Sequence, residues 1–394
     1  MTALRQTFLK AARGAMALVN GRASASEQTE HQDKELARLQ KRTATAEAEL
    51  SEARAELAKR EALDGGPSAF FVVGQSKSGT GWLMKILDSH PEILCRGGGR
   101  FFGRHLRDEN LKGMQASEAV RAKIQPSSLH NALLNAEYLR LWIERSSWSR
   151  DEDPDEHLSS LTRLSVDYFL GRKLAKSGKR FVGDKTPLFD VDILSDIASL
   201  YPEAKAVHII RDGRDVAVSQ MHQLWKTARD LGGISDLEPH ELAKREAFYW
   251  DPQAFLASRE GIFSEGRLRR VAEEWQANVG KAIEDGPALL GEGYTEIKYE
   301  RLLEEPKAEV RRLFGFLGSD ASEKTVTRCV VSASFETRSG RERGRENYAL
   351  DHGKHRKGIA GDWKNVFTER DKEIFKDAAG DLLIELGYER NGAW

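Results

Sequence analysis

Hydrophobic and polar positions change rhythm near residue 68. From there on, short continuous apolar runs alternate with stretches of helical period. Residues 69–73 (AFFVV) form an unbroken apolar run, the pattern of a strand buried on both faces of a parallel sheet. Residues 204–210 (AKAVHII) repeat it, and residues 181–183 and 294–299 are shorter versions. Residues 82–88, 190–200, 268–283, 306–317 and the stretch from about Gly213 read as helices; Val271, Trp275, Val279 and Ile283 fall on one helical face. This alternation predicts an α/β fold: three layers, α/β/α, around a mainly parallel central sheet. In such folds ligands sit beyond the carboxyl ends of the strands.

Upstream of residue 68 the texture is different. In residues 4–20, Leu4, Phe8, Ala11, Ala12, Ala15, Leu18 and Val19 fall at helical spacing among Arg5, Lys10 and Arg13. Two readings are open: a helix lying on a membrane surface, or an amphipathic helix packed on a partner. Residues 27–63 contain no Gly or Pro, and Leu36, Thr43, Leu50 and Leu57 recur every seven residues, with Leu39, Ala46 and Ala53 three places later. That is an a/d heptad pattern, which predicts a coiled coil and a homo-oligomer. Ala at two d positions weakens the seam and keeps a solvated single helix as the alternative. Residues 64–68 (DGGPS) read as a linker. The expected division is an N-terminal helical and coiled-coil segment (1–63), a linker (64–68) and one α/β domain (69–394).

Composition narrows the function classes. The 394 residues carry 61 Lys+Arg against 62 Asp+Glu, a net charge of -1, so no general affinity for nucleic acid is expected and anion binding must come from a local cluster. Cys95 and Cys329 are the two cysteines; they make no disulfide framework or metal spacing, which points to a reducing, cytoplasmic setting. The inner membrane surface would be the site if residues 4–20 bind lipid.

Three motifs carry candidate chemistry. The first apolar run is followed by Gly74-Gln75-Ser76-Lys77-Ser78-Gly79-Thr80-Gly81-Trp82. A glycine-rich turn into a helix offers backbone N–H groups to an anion. Gly74 and Gly79 have the Walker spacing, but Thr80 follows Gly79 and the lysine lies inside the loop, at Lys77. The alternative is a plain glycine turn. After residue 210 come Arg211-Asp212-Gly213-Arg214-Asp215 and, eight residues beyond Arg211, Ser219. An Arg and a hydroxyl at a helix mouth can grip one phosphate; alone, the Arg/Asp alternation reads as a salt-bridge cluster. The third motif is Arg356-Lys357-Gly358, continued by Gly361-Asp362-Trp363-Lys364-Asn365, a glycine-relieved basic loop or a solvated charge run.

Together, in this order, the motifs resemble the sulfotransferase family that uses 3′-phosphoadenosine 5′-phosphosulfate (PAPS), from about Phe70 to Tyr388. The resemblance implies that Lys77, Ser78, Gly79, Thr80 and Gly81 cradle the 5′-phosphosulfate and that Trp82 stacks near the adenine. It implies a 3′-phosphate site from Arg211 and Ser219, with Arg356, Lys357 and Gly358 over it. Tyr299, in Lys298-Tyr299-Glu300, and Phe335, in Ser334-Phe335-Glu336, are similar to the family's nucleotide-flanking segments. Two departures stand out: Gln75 replaces the usual Pro, and Gly81 the second Thr or Ser. The implied activity is transfer of a sulfuryl group to an acceptor hydroxyl or amine, without a metal.

The base is harder to place. Cytosolic relatives carry K-T-H, whereas this chain has Gly183-Asp184-Lys185-Thr186-Pro187, with Pro at the histidine place. Asp184-Lys185-Thr186 is similar to the acidic variant of glycan-modifying relatives. It implies Asp184 as base and Lys185 as a second stabiliser of the transferred group, with a carbohydrate or glycolipid as acceptor. Asp184 paired structurally with Lys185 is the alternative. His222 and His105 are other candidates for the base, and His208 reads as a core histidine. Residues 103–165 and 228–263, with their aromatics, are expected to cover the acceptor site. Two rival readings remain: a P-loop-type kinase or nucleotide-binding protein, and a non-catalytic coiled-coil scaffold with a vestigial site.

Overall fold

The computed structural model describes residues 69–103, 128–134, 136–230, 237–344 and 356–394. The segments read above as N-terminal helix, heptad repeat and linker, together with His105, lie outside the described residues. Five strands form the sheet: β1 (Ala69–Gln75), β2 (Ile93–Gly97), β3 (Phe181–Leu188), β4 (Lys205–Ile210) and β5 (Tyr294–Lys298). Their order is β2-β3-β1-β4-β5, and every neighbouring pair is parallel. The apolar run of β1 follows from its central place: six of its seven residues are buried, so both faces must be apolar.

The principal helices are α1 (Thr80–Asp88), α2 (Pro154–Ser177), α3 (Ile193–Leu200), α4 (Gly213–Asp230), α5 (Glu265–Leu290), α6 (Pro306–Leu317), α7 (Glu323–Ser332) and α8 (Glu369–Glu385). Phe70 and Val72 point to the face covered by α1, α6 and α7, where Leu83, Ile86, Leu313 and Val326 are buried. Phe71 and Val73 point to the opposite face, against Val166 and Leu170 of α2 and Ile193 and Ile197 of α3. A third cluster joins α4, α5 and α8 through Trp225, Trp275 and Phe375. The expected three-layer α/β/α arrangement is the one observed. Among the described residues no helix is long and apolar enough to cross a membrane.

Three elements differ from the sequence reading. Strand β2 is absent from the predicted alternation. Strand β3 runs on through Asp184 and Lys185 to Leu188, because its ladder with β1 continues from Phe71↔Asp184 to Gln75↔Leu188; pairing overrides the polarity of these residues. Tyr299 opens the short helix Tyr299–Glu304 rather than ending β5.

Helix α5 fixes both loops that leave the central strands. The indole N–H of Trp275 donates to the Arg211 carbonyl at 3.2 Å, and a Cβ on Gly213 would lie 2.5 Å from the Trp275 ring, so the mouth of α4 needs glycine. At the end of β1, Gln75 donates to Glu274 (3.3 Å) and accepts from the Asn278 amide (3.0 Å). The residue that departs from the usual Pro is therefore a buried bridge to α5. Gln75→Leu removes both bonds, so it should destabilise the domain by about 1–3 kcal/mol. A lower urea midpoint at unchanged slope is the expected readout; an unchanged midpoint would show that the bridge contributes nothing.

Candidate functional site

The turn after β1 is closed by the Ser78 N–H, which donates to the Gln75 carbonyl at 3.0 Å. Lys77 has φ 78° and Gly79 φ 96°. A non-glycine residue in the left-handed region costs about 1–3 kcal/mol and persists where the surroundings enforce it. Gly79 is required sterically as well, since a Cβ there would lie 2.6 Å from the Tyr299 ring. Gly79 also caps α1 with no side-chain hydrogen bond, so the helix N-terminus faces the loop with its amides and partial positive charge. Ser78 is fully buried and its Oγ has no hydrogen-bond partner, which carries a free-energy cost. Gly81 is exposed, with open space where a Cβ would stand.

Arg211 ties this loop to the third motif. Its guanidinium donates to the Lys77 carbonyl (3.2 Å) and the Ile359 carbonyl (3.0 Å), lies 3.5 Å from the Asp215 carboxylate, and stacks 4.3 Å above the Tyr299 ring. Its Nε is buried without a partner. Asp215 accepts from the backbone N–H of Gly361 (2.7 Å) and Trp363 (3.0 Å). The three motifs, far apart in sequence, thus meet at one guanidinium.

In the third motif, Arg356 and Lys357 turn to Asp362, Lys357 Nζ at 2.9 Å. Burial alone would raise the Asp362 carboxyl, but the two cations outweigh it and hold the carboxyl well below the usual range. Gly358 lies flat on Phe335, where a Cβ would come within 2.4 Å of the ring. Trp82 meets Tyr299 edge-on at 5.6 Å, and its indole N–H donates to the Ala333 carbonyl. Tyr299, Trp82 and Phe335 thus border the same junction.

Lys77 carries the electrostatic signature of the site. Burial, then the charges of Arg211, Lys226 and Arg356, push its pKa down to about 8. Its Nζ donates to Gln223 at 3.3 Å. Ser219 is half-buried on α4, and Gln223 and Lys226 follow it at i+4 and i+7 on one stripe. Sequence reasoning missed Gln223 and Lys226; extending the Ser219 stripe by two turns would have found them.

Asp184 is buried and accepts from the Thr186 hydroxyl (2.8 Å) and the Gly99 N–H (3.3 Å). Burial pushes its carboxyl above the ordinary range, against those hydrogen bonds and the charge of Lys185. Strand alternation sends Asp184 and Lys185 to opposite faces of β3. The turn Gly97–Gly98–Gly99 roofs both: a Cβ on Gly97 would lie 2.6 Å from Lys185 Cε, and one on Gly99 2.8 Å from Asp184 Oδ1. No contact joins Asp184 to Lys77 among the described residues. His222 lies in an aromatic nest, 5.5 Å from Trp225 and 5.2 Å from Phe248. Burial, then Arg356, keep its pKa well below the ordinary value, which makes it a weak base. His208 is a core residue bonded to the Tyr294 hydroxyl at 2.7 Å.

A cavity of about 300 Å³ opens beside Lys77 between α4 and α5, lined by Ala217, Met221, Leu224, Phe263 and Val271, with Gln220, Gln223 and Arg267 as polar neighbours. Of the aromatics in the segments expected to cover the acceptor, Phe248 and Phe255 belong to the core, whereas Trp142, Trp148 and Trp250 are exposed.

The chain is 30% identical to mouse sulfotransferase 1B1 over 185 residues, 44% of this chain and 52% of that protein. It is 26% identical to the nodulation protein NoeE of Sinorhizobium fredii over 351 residues, 82% of this chain and 67% of that protein. The match thus spans about half the length of the mammalian relative. Among solved structures, mouse sulfotransferase SULT7A1 complexed with PAP aligns at a TM-score of 0.43 and 18% identity, covering 84% of this chain and 90% of that chain. The model of the sulfotransferase domain matches residues 67–387, which contain the glycine turn, Arg211 and the basic loop that meets them, and by that match the chain belongs to the sulfotransferase domain family.

Proposed function

We propose that this chain transfers a sulfuryl group from PAPS to an acceptor hydroxyl or amine. The observation that carries the reading is the Arg211 junction, where the loop of Lys77 and the loop of Ile359 share one guanidinium. Two orphaned buried groups, Ser78 Oγ and Arg211 Nε, fit a bisphosphorylated nucleotide, each leaving a donor for a phosphate oxygen. In this assignment the amides of Gly79, Thr80 and Gly81 and the Ser78 hydroxyl hold the 5′ end, with Trp82 bordering the base. Arg211, Ser219, Arg356, Lys357 and Gly358 hold the 3′-phosphate, while Tyr299 and Phe335 wall the nucleoside. Arg356 and Lys357 already neutralise Asp362, so a phosphate would share them with that carboxylate.

The protein's task in such a transfer is positioning and charge stabilisation. A bond forms from the acceptor oxygen to sulfur while the bond from sulfur to the bridging phosphate oxygen breaks. Lys77 stabilises the charge that builds on the bridging oxygen; Lys185, on the face of β3 opposite Asp184, is assigned to the transferred group by the motif alone. Asp184 takes the acceptor's proton; its burial supports a raised basicity. The apolar cavity beside Lys77 supports an acceptor with an apolar body next to its reacting group. Within the carbohydrate class suggested by Asp184-Lys185-Thr186, that favours a glycolipid or an aglycone-bearing sugar over a free sugar. The heptad in residues 27–63 supports a homo-oligomer, and residues 4–20 either a helix packed on a partner or a peripheral membrane contact.

Assay of sulfate transfer from PAPS across glycans, glycolipids and phenols tests the reading, and no transfer to any of them would count against it. Lys77→Ala should lower transfer by about 10²-fold or more. Lys77 works as a cation, and its charge is lost as pH rises through about 8. Binding of adenosine 3′,5′-bisphosphate should therefore weaken above that pH in the wild type and persist higher in Lys77→Arg. A wild-type titration flat across this range would refute the cationic role.

Asp184→Asn should suppress turnover while leaving nucleotide affinity unchanged. Full activity in that variant would move the base to His222 or His105.

A further inference from the structure

The segment 388–394 lies outside every motif above, yet it is fastened behind the basic loop at three points. The Tyr388 hydroxyl donates to Glu300 at 3.0 Å, and the other oxygen of Glu300 accepts the Asp212 N–H at 3.1 Å. Glu389 accepts from Arg214. Lys376 of α8 holds the Trp394 carbonyl at 2.8 Å. Arg214 is 1% exposed; its guanidinium lies in the corner formed by the rings of Trp363 (3.8 Å) and Trp394 (4.4 Å) and is bonded to both oxygens of Asp212. The two indoles meet at 5.9 Å.

This cluster has a direct line to the anion site. Trp363 and Gly361 give their backbone N–H groups to Asp215, which pairs with Arg211. Trp394 therefore packs against both Trp363 and Arg214, and Trp363 carries the loop of residues 356–363 to Asp215 and Arg211. A buried guanidinium is tolerated only while its carboxylate and ring partners stay in place. Losing Trp394 or the Glu389 charge loosens the side of the loop away from the ligand.

We propose that Trp394 and Glu389 are positioning residues for recognition of the nucleotide 3′-phosphate, acting through Arg214 and Trp363 on the loop of residues 356–363. This rests on the nucleotide assignment above. Neither residue is placed near the 5′ loop, so their loss should affect the 3′-phosphate selectively.

The test is the affinity of the full chain for adenosine 3′,5′-bisphosphate and for adenosine 5′-phosphate, in wild type, Trp394→Ala, Trp394→Phe and Glu389→Gln. Trp394→Ala should weaken bisphosphate binding by about tenfold and leave monophosphate binding within about twofold. Trp394→Phe should recover most of the loss by restoring a ring over Arg214. Glu389→Gln, which preserves volume, should show the same selectivity to a lesser degree and serves if Trp394→Ala does not fold. Equal losses for both nucleotides, or an unchanged ratio in all variants, would overturn the positioning role while leaving the nucleotide assignment intact. A wild-type chain with no preference for the bisphosphate would overturn that assignment itself, and the positioning role with it.

Discussion

One guanidinium, that of Arg211, holds the site together. A buried cation is tolerated only when its donors are matched, and here the matches come from separate parts of the chain: the Lys77 carbonyl, the Ile359 carbonyl and the Asp215 carboxylate, with the Tyr299 ring below. Satisfying Arg211 therefore requires the glycine turn, the mouth of α4 and the basic loop to converge. The Trp275 indole on the Arg211 carbonyl and the absence of a side chain at Gly213 fix the backbone from which the arginine springs. The orphaned Nε leaves one donor over.

That convergence explains the electrostatics. Cations gathered for an anion raise one another's energy until it arrives, and Lys77, depressed by burial and by Arg211, Lys226 and Arg356, shows this. The basic loop is neutralised differently, by the internal carboxylate of Asp362. The two anion stations thus have unequal character: Lys77 is a cation destabilised by burial and its neighbours, while Arg356 and Lys357 are held in place by a partner of their own.

Much of this was legible in the sequence, for identifiable reasons. The run AFFVV had to be a central strand because nothing polar interrupts it, and the glycine turn after it had to face a helix N-terminus. The full extent of β3 was hidden because Asp184 and Lys185 look like a strand exit, whereas pairing with β1 carries the strand through them. Gln223 and Lys226 were missed because α4 was read only as far as Ser219 and His222. The role of Asp215 was invisible because its partners, Gly361 and Trp363, lie nearly 150 positions away, at separations of 146 and 148. Asp184 and Lys185, adjacent in sequence, face opposite sides of the sheet, which no motif conveys.

The central claim is that Arg211 joins the motifs around a 3′-phosphorylated nucleotide. The most direct measurement compares Arg211→Ala with wild type for binding adenosine 3′,5′-bisphosphate and its 3′-dephospho analogue. The account predicts a large loss for the bisphosphate, about 10²-fold, and a much smaller one for the analogue. Equal losses for both would contradict it.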